Sequence, residues 1–297
     1  MSGELRVALL QADTVWHDPE ANRRRYEAEF EAACHGSDLI ILPETFTTGF
    51  SNESVARAET MEGETVAWLR AQARKLGAAI TGSVQIREEG GDGGAQEPGV
   101  GAVPGSGTAR TGDHQGGVRN RLLWAMPDGG LFHYDKRHLF RMAGEHEHYV
   151  AGGDRLVVDF RGWRICPLVC YDLRFPVFAR NRFDRTRPGG LDYDLLIFVA
   201  NWPAARQRAW DTLLQARAIE NLSYVAGVNR VGTDGNDIAY TGGSAVLDFA
   251  GDTVAAAGNG VRTVTATLSM ARLQEYRERF PAHLDADAFE VGGSSTT

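Results

Sequence analysis

The sequence predicts an α/β fold, and three features carry that expectation. Short apolar runs of strand length alternate along the chain with stretches of helical period. Those runs are continuous rather than polar at every second residue, as in sheets covered on their faces. No repeat of fixed period intrudes. At 297 residues the chain is long for one domain, yet α/β enzymes of this size are often one unit and bury roughly 75% of their unfolded surface. Residues 1–285 are therefore expected to form a single domain.

The elements follow in order. Residues 5–12 (LRVALLQA) predict a buried strand, 19–34 an amphipathic helix and 38–43 (DLIILP) a second strand. A helix is expected at 64–76, with Gly77 as its C′ residue. The strand at 78–87 is followed by an abrupt change, since residues 88–118 hold 11 glycines among 31 residues. Such a stretch cannot bury enough surface to offset its ordering entropy and is expected to be a mobile loop. Residues 120–127 and 131–136, joined by Asp128-Gly129-Gly130, predict a hairpin that carries this insertion. The second half repeats the alternation, with strands at 156–160, 163–170, 194–200, 223–231, 243–249 and 261–268. Helices are expected at 176–184, 206–221 and 270–279, and residues 286–297 as a frayed tail.

Composition narrows the function. Hydrophobic residues make up 43% and charged residues 24%, with a formal charge of −8. This balance argues against a general binder of nucleic acid or acidic membranes, which reward basic surfaces. The apolar runs are too short to span a bilayer. The N-terminus lacks the charged segment and long apolar run of a signal peptide. Three cysteines, Cys34, Cys166 and Cys170, make a poor disulfide framework and suit a reducing compartment. A cytoplasmic protein is expected.

Three residues attract attention by position. Cys170 ends the apolar run RICPLVC ahead of an expected helix opened by Pro176. At a strand-to-helix junction, backbone N–H groups favour an anion and can receive a developing oxyanion. The bland alternative is a core cysteine, which suits Cys166 better. A metal pair of the two lacks a matching His/Cys cluster. Glu44 follows the strand DLIILP, where open α/β sheets place their sites, and could serve as a general base beside a thiol. It could equally be a surface acid. Lys136 ends the hairpin strand LFHYDK and could stabilise an oxyanion, or merely be solvated.

Taken together with their flanks, LPETFTTGF around Glu44, YDKRHLF around Lys136 and CPLVCYDLRFP around Cys170, the three resemble the nitrilase, or carbon–nitrogen hydrolase, superfamily. Its chains carry Glu, Lys and Cys in this order. The resemblance runs from about residue 5 to 280, and the segments QARAIENLSYVAGVNRVG and Asn201-Trp202-Pro203 are most similar to bacterial ω-amidases. It implies a four-layer αββα sandwich that pairs as a homodimer through helices, with no cofactor and no metal. It also implies Glu44 as general base, Cys170 as nucleophile and Lys136 as stabiliser of the tetrahedral intermediate. Glu145 is the implied further acid, with Glu147 second, and the Tyr171 N–H completes the oxyanion site.

The implied substrates are monoamides of short dicarboxylates, such as 2-oxoglutaramate and 2-oxosuccinamate. Arg174, Trp202 and Phe46 are the substrate contacts singled out. Arg137, His138 and Arg141 are further candidates for the distal carboxylate, and an ion pair with Asp172 is the structural alternative for Arg174. Other readings stay open: a nitrilase proper, a carbamoylase, a catalytically silent interaction module, or a redox protein built on Cys166 and Cys170.

Overall fold

The computed structural model describes residues 3–88, 116–187 and 189–290. The body of the glycine-rich insertion and the last seven residues lie outside them. In chain order the first half comprises β1 (Glu4–Gln11), α1 (Pro19–Ala33), β2 (Leu39–Ile41), α2 (Glu64–Leu76), β3 (Ala79–Glu88), β4 (Gly117–Ala125), β5 (Leu131–Asp135) and the single turn α3 (Glu145–His148). The second half comprises β6 (Val158–Phe160), β7 (Trp163–Val169), α4 (Pro176–Ala179), β8 (Leu195–Ala200), α5 (Gln207–Asn221), β9 (Tyr224–Asn229), β10 (Val231–Thr233), β11 (Ala239–Thr241), β12 (Ala245–Leu247), β13 (Thr253–Ala256), β14 (Arg262–Ser269) and α6 (Met270–Arg279).

Two six-stranded sheets organise these elements, in the orders β14-β1-β2-β3-β4-β5 and β13-β12-β9-β8-β7-β6. In the first, β1, β2 and β3 run parallel; in the second, β7, β8 and β9 do. The layering follows from strand periodicity, because successive side chains leave a strand on opposite faces. Leu5, Val7 and Leu9 of β1, with Leu39 and Ile41 of β2, join one core with Ile165, Leu168 and Ile197 of the other sheet. Their neighbours Ala8, Leu10, Ile40 and Leu42 point the other way and pack with Tyr26 and Phe30 of α1 and Leu69 and Ala73 of α2. On the second sheet a Cβ added at Gly227 of β9 would sit 2.5 Å from Leu214 and 2.9 Å from Trp210, so α5 lies directly on that face. Helices, sheet, sheet, helices: the four-layer αββα sandwich is present.

Local chemistry accounts for most boundaries. Asp18 caps α1 by accepting from the Ala21 N–H at 2.9 Å, and Pro19 opens the helix. Gly77 ends α2 in the left-handed conformation at φ 62°. The helix expected at 176–184 is corrected by the structure to one turn, Pro176–Ala179. Asn181 breaks it, because its amide is worth more outside a helix. Its side chain donates to the carbonyls of Tyr193 and Asn221 and accepts from the Tyr193 N–H, while its own N–H donates to Asn221. The β10–β11 ribbon and the edge strand β13 were not expected from the sequence.

Candidate active site

Four strand ends meet where the two sheets face each other. Glu44 lies three residues beyond β2, Lys136 directly follows β5, Cys170 directly follows β7, and Asn201 directly follows β8. Their side chains are buried: Glu44 and Lys136 are each 1% exposed, Glu145 0% and Cys170 9%. The sequence-expected Glu44, Lys136, Glu145 and Cys170 thus converge, and Glu145 does so rather than Glu147, whose side chain is exposed.

Lys136 is the hub. Its Nζ donates to Oε1 of Glu44 at 2.9 Å and to both carboxylate oxygens of Glu145 at 2.9 Å. It also lies 5.3 Å from the centre of the Phe50 ring. Burial alone would lower its pKa, but the charges of Glu145 and Glu44 outweigh burial and hold the ammonium well above its usual range. Burial raises the pKa of Glu145, Lys136 pulls it back, and the charge of Glu44 adds to the rise. The backbone reinforces this placement. The Gly152 N–H donates to the Lys136 carbonyl at 2.9 Å, and a Cβ at Gly152 would stand 2.0 Å from the Asp135 carbonyl oxygen. Only glycine lets the two segments approach so closely.

Glu44 is held by donors from three separate segments. Asn120, on β4, donates to its Oε1 at 2.8 Å, and the Asn201 N–H donates to Oε2 at 2.8 Å. The Asn201 side chain reaches the Glu44 carbonyl at 2.8 Å. The Cys170 thiol points at the Asn201 carbonyl, 3.9 Å away, a long and weak contact. Burial first, then the charge of Glu44 and a hydrogen bond to it, push the Cys170 thiol well above its usual range, while Lys136 opposes the rise. The same surroundings thus favour the protonated sulfur, and Glu44 lies beside it.

The backbone is strained where the site is assembled. Cys170 has φ 45° and Thr45, next to Glu44, φ 40°. Non-glycine residues in this region cost on the order of 1–3 kcal/mol and persist only when their surroundings demand it. Cys170 opens a five-residue 3-10 turn, Cys170–Arg174. In such a turn the N–H of the second residue, Tyr171, has no acceptor within the turn. The helix expected behind the thiol is too short to contribute much dipole, so this turn supplies the local N–H groups instead.

Asp172 fixes the turn. Fully buried, it accepts from the Tyr134 hydroxyl at 2.8 Å and the Val169 N–H at 3.0 Å, and from the N–H and Nδ1 of His138 at 3.1 and 2.7 Å. It thereby ties the Cys170 segment to the Lys136 segment. His138, stacked on Phe175 at 3.8 Å, is thus occupied with structure. Arg137 donates to the Gly153 carbonyl and lies over Phe178, and Arg141 is exposed. Arg174 makes no ion pair with Asp172; its guanidinium lies 4.8 Å from the centre of the Trp202 ring. Trp202, next to Asn201, is buried beside the site. Phe46 is not brought to it. That ring packs against Tyr26 and Trp68 in the outer core under α1 and α2, because the chain reverses at Thr45. Asn120, Asn201 and Asp172 are the residues whose part in the site the sequence did not disclose. Among the described residues no three His, Cys, Asp or Glu side chains are grouped to hold a metal ion.

The two-sheet sandwich brings Glu44, Lys136 and Cys170 together at apposed strand ends, and comparison with known proteins gives the class of protein. The carbon-nitrogen hydrolase family matches residues 6–278. The chain belongs to that family and is a hydrolase of carbon–nitrogen bonds. It is 46% identical to "Omega-amidase YafV" of Escherichia coli (strain K12), over 97% of this chain and 98% of that one. It is 29% identical to "2-oxoglutaramate amidase" of Bacillus subtilis (strain 168), over 94% and 96% of the two chains. Among solved structures, a CN-hydrolase superfamily protein of Xanthomonas campestris with an arsenic adduct in its active site is 56% identical, with a TM-score of 0.87 over 97% of this chain and 99% of that one.

Proposed function

We propose that the protein is an ω-amidase, hydrolysing monoamides of short dicarboxylates such as 2-oxoglutaramate and 2-oxosuccinamate to the dicarboxylate and ammonia through a thioester on Cys170. The observation that carries the reaction is the buried Glu44–Lys136 pair, joined at 2.9 Å beside the buried Cys170 thiol. The likeness to proteins named omega-amidase and 2-oxoglutaramate amidase supports the substrate.

Glu44 takes the thiol proton as sulfur bonds to the amide carbon. The Lys136 ammonium and the Tyr171 N–H hold the resulting oxyanion. Glu44 then delivers its proton to the amide nitrogen, the C–N bond breaks, and ammonia leaves. Water loses a proton to Glu44 and attacks the thioester. When the C–S bond breaks, Glu44 returns that proton to sulfur and the acid departs. Glu145, bound to Lys136 through both oxygens, keeps the ammonium aimed and tempers its charge.

Turnover of 2-oxoglutaramate, of a short aliphatic nitrile and of an N-carbamoyl amino acid, compared by product release, tests the assignment. The ω-amide is expected to exceed the others in kcat/KM by at least about 10²-fold, short of the roughly 10⁴–10⁵ that a site bonding a substrate polar group can reach. A preference for the nitrile or the carbamoyl compound would replace the ω-amide assignment.

The same proposal includes a cytoplasmic homodimer. Three free cysteines support the reducing compartment. No described helix is long and apolar enough to cross a membrane. Ile219 of α5 and Phe280 beyond α6 line one shallow pocket while 48% and 55% exposed, with Leu284 at 50% nearby. Exposed apolar side chains in one pocket, bordered by the polar Arg180, Glu220, Asn221 and His283, support a contact between two copies on this face. Light scattering is expected to give twice the 32.4 kDa chain mass, and Ile219→Glu with Phe280→Glu to give the single mass. A monomeric wild type would remove the dimer from the proposal.

A further inference from the structure

Two arginines that hydrolysis itself does not use stand over aromatic residues beside the site. Arg174 sits at the end of the nucleophile's 3-10 turn, four residues past Cys170, with its guanidinium 4.8 Å from the centre of the Trp202 ring. Arg206 lies in the short turn before α5, with its guanidinium 5.2 Å from the centre of the Phe140 ring. The two are tied together, since Trp202 Nε1 donates to the Arg206 carbonyl at 2.9 Å. The aromatic residues beneath them belong to the site. Phe140 donates its N–H to Oε2 of Glu145 at 2.5 Å, and its ring lies 5.0 Å from that of Tyr171, the neighbour of Cys170. Trp202 follows Asn201, whose carbonyl faces the thiol.

Both arginines are half-buried, yet among the described residues neither guanidinium has a carboxylate partner. Buried arginines elsewhere in the protein are matched: Arg121 with Asp135, Arg217 with Glu220, Arg230 with Asp13 and Arg277 with Asp194. A guanidinium on an aromatic ring spends its face on the contact and keeps its edge N–H donors available. Those edges form a fork suited to two carboxylate oxygens.

We infer that Arg206, paired with Arg174 through Trp202, binds the distal carboxylate of the substrate and sets the preference for an anionic over a neutral amide. The inference deepens the ω-amidase assignment and rests on it. Arg206 is a specificity residue; it touches the far end of the substrate and no reacting atom.

The test compares kcat/KM for succinamate with that for butyramide, which share four carbons and differ in a terminal carboxylate or methyl. Wild type is expected to favour succinamate strongly. Arg206→Gln is expected to lower the succinamate-to-butyramide ratio by about 10- to 100-fold, the scale of a charge-assisted hydrogen bond. Arg206→Lys should restore part of that ratio, keeping the charge without the fork. A wild type with no preference would overturn the ω-amidase assignment. A wild type that prefers succinamate, beside an Arg206→Gln variant with an unchanged ratio, would overturn the role of Arg206 alone. Equal losses on both substrates would also overturn it, because they report general damage to the site.

Discussion

Cys170→Ala is expected to lower ammonia release by about 10⁵-fold or more, in line with the cost of deleting a covalent nucleophile elsewhere. The reason lies in what remains. Glu44 and Lys136 would still be joined at 2.9 Å and still held by Asn120 and Asn201. The variant would therefore keep a base and an oxyanion partner but lose the sulfur that bonds to the amide carbon. Water could in principle attack in its place, but it would have to enter the space the sulfur leaves and be deprotonated without forming an acyl intermediate. Intact-mass measurement during turnover provides the independent check. Wild type should carry a mass addition matching the acyl group, and Cys170→Ala should carry none. Residual turnover above about one per cent of wild type, or an acyl adduct on the variant, would remove sulfur from the role of nucleophile.

How much of this was visible in the sequence depended on whether a residue's role is local. Strands such as 194–200 and helices such as 206–221 announce themselves through period and apolar content, and they stand where expected. The strand-end positions are local too, since Glu44 and Cys170 each follow an apolar run and Lys136 ends a hairpin strand. What the sequence hides is the far side of each contact. Asn201 meets Glu44 across 157 residues and Asn120 meets it across 76; the segment Asn201-Trp202-Pro203 stands out locally, but nothing local points either asparagine at Glu44, because a polar residue at the edge of a strand resembles an ordinary boundary. The misplacement of Phe46 has the same origin. Two residues from Glu44, it was expected beside the substrate, but the left-handed Thr45 sends its ring to the opposite face of the sheet. The shortened helix at 176–184 also reflects distant partners, as Asn181 is captured by Tyr193 and Asn221. Periodicity cannot anticipate such a capture.

Lys136→Met should be the most damaging change to the fold among the site residues, and its pH dependence distinguishes electrostatics from packing. Methionine approximates the stem of the side chain, so little volume is lost. What disappears is the one cation between Glu44 and Glu145, both buried. Removing one partner from a buried ion pair typically costs about 3–5 kcal/mol, because the charge left behind has neither water nor counterion. The loss of an oxyanion donor should add a fall in kcat of about 10²–10³-fold. In the folded wild type burial already raises the pKa of Glu145, and Lys136 restrains the rise. Without Lys136 the folded-state pKa climbs further above the ordinary value of 4.5. Between those two values the folded protein holds a proton that the unfolded chain has released, so stability must grow as pH falls through that interval. The variant should therefore recover part of its deficit on moving from pH 8 towards pH 5. The wild-type ammonium contributes its stability throughout that range, because its raised pKa keeps it charged until well above 10.5. Urea unfolding of both proteins across this range measures the difference. Parallel pH profiles would mean that the two carboxylates do not depend on the lysine for their charge, and that Lys136 acts through packing alone.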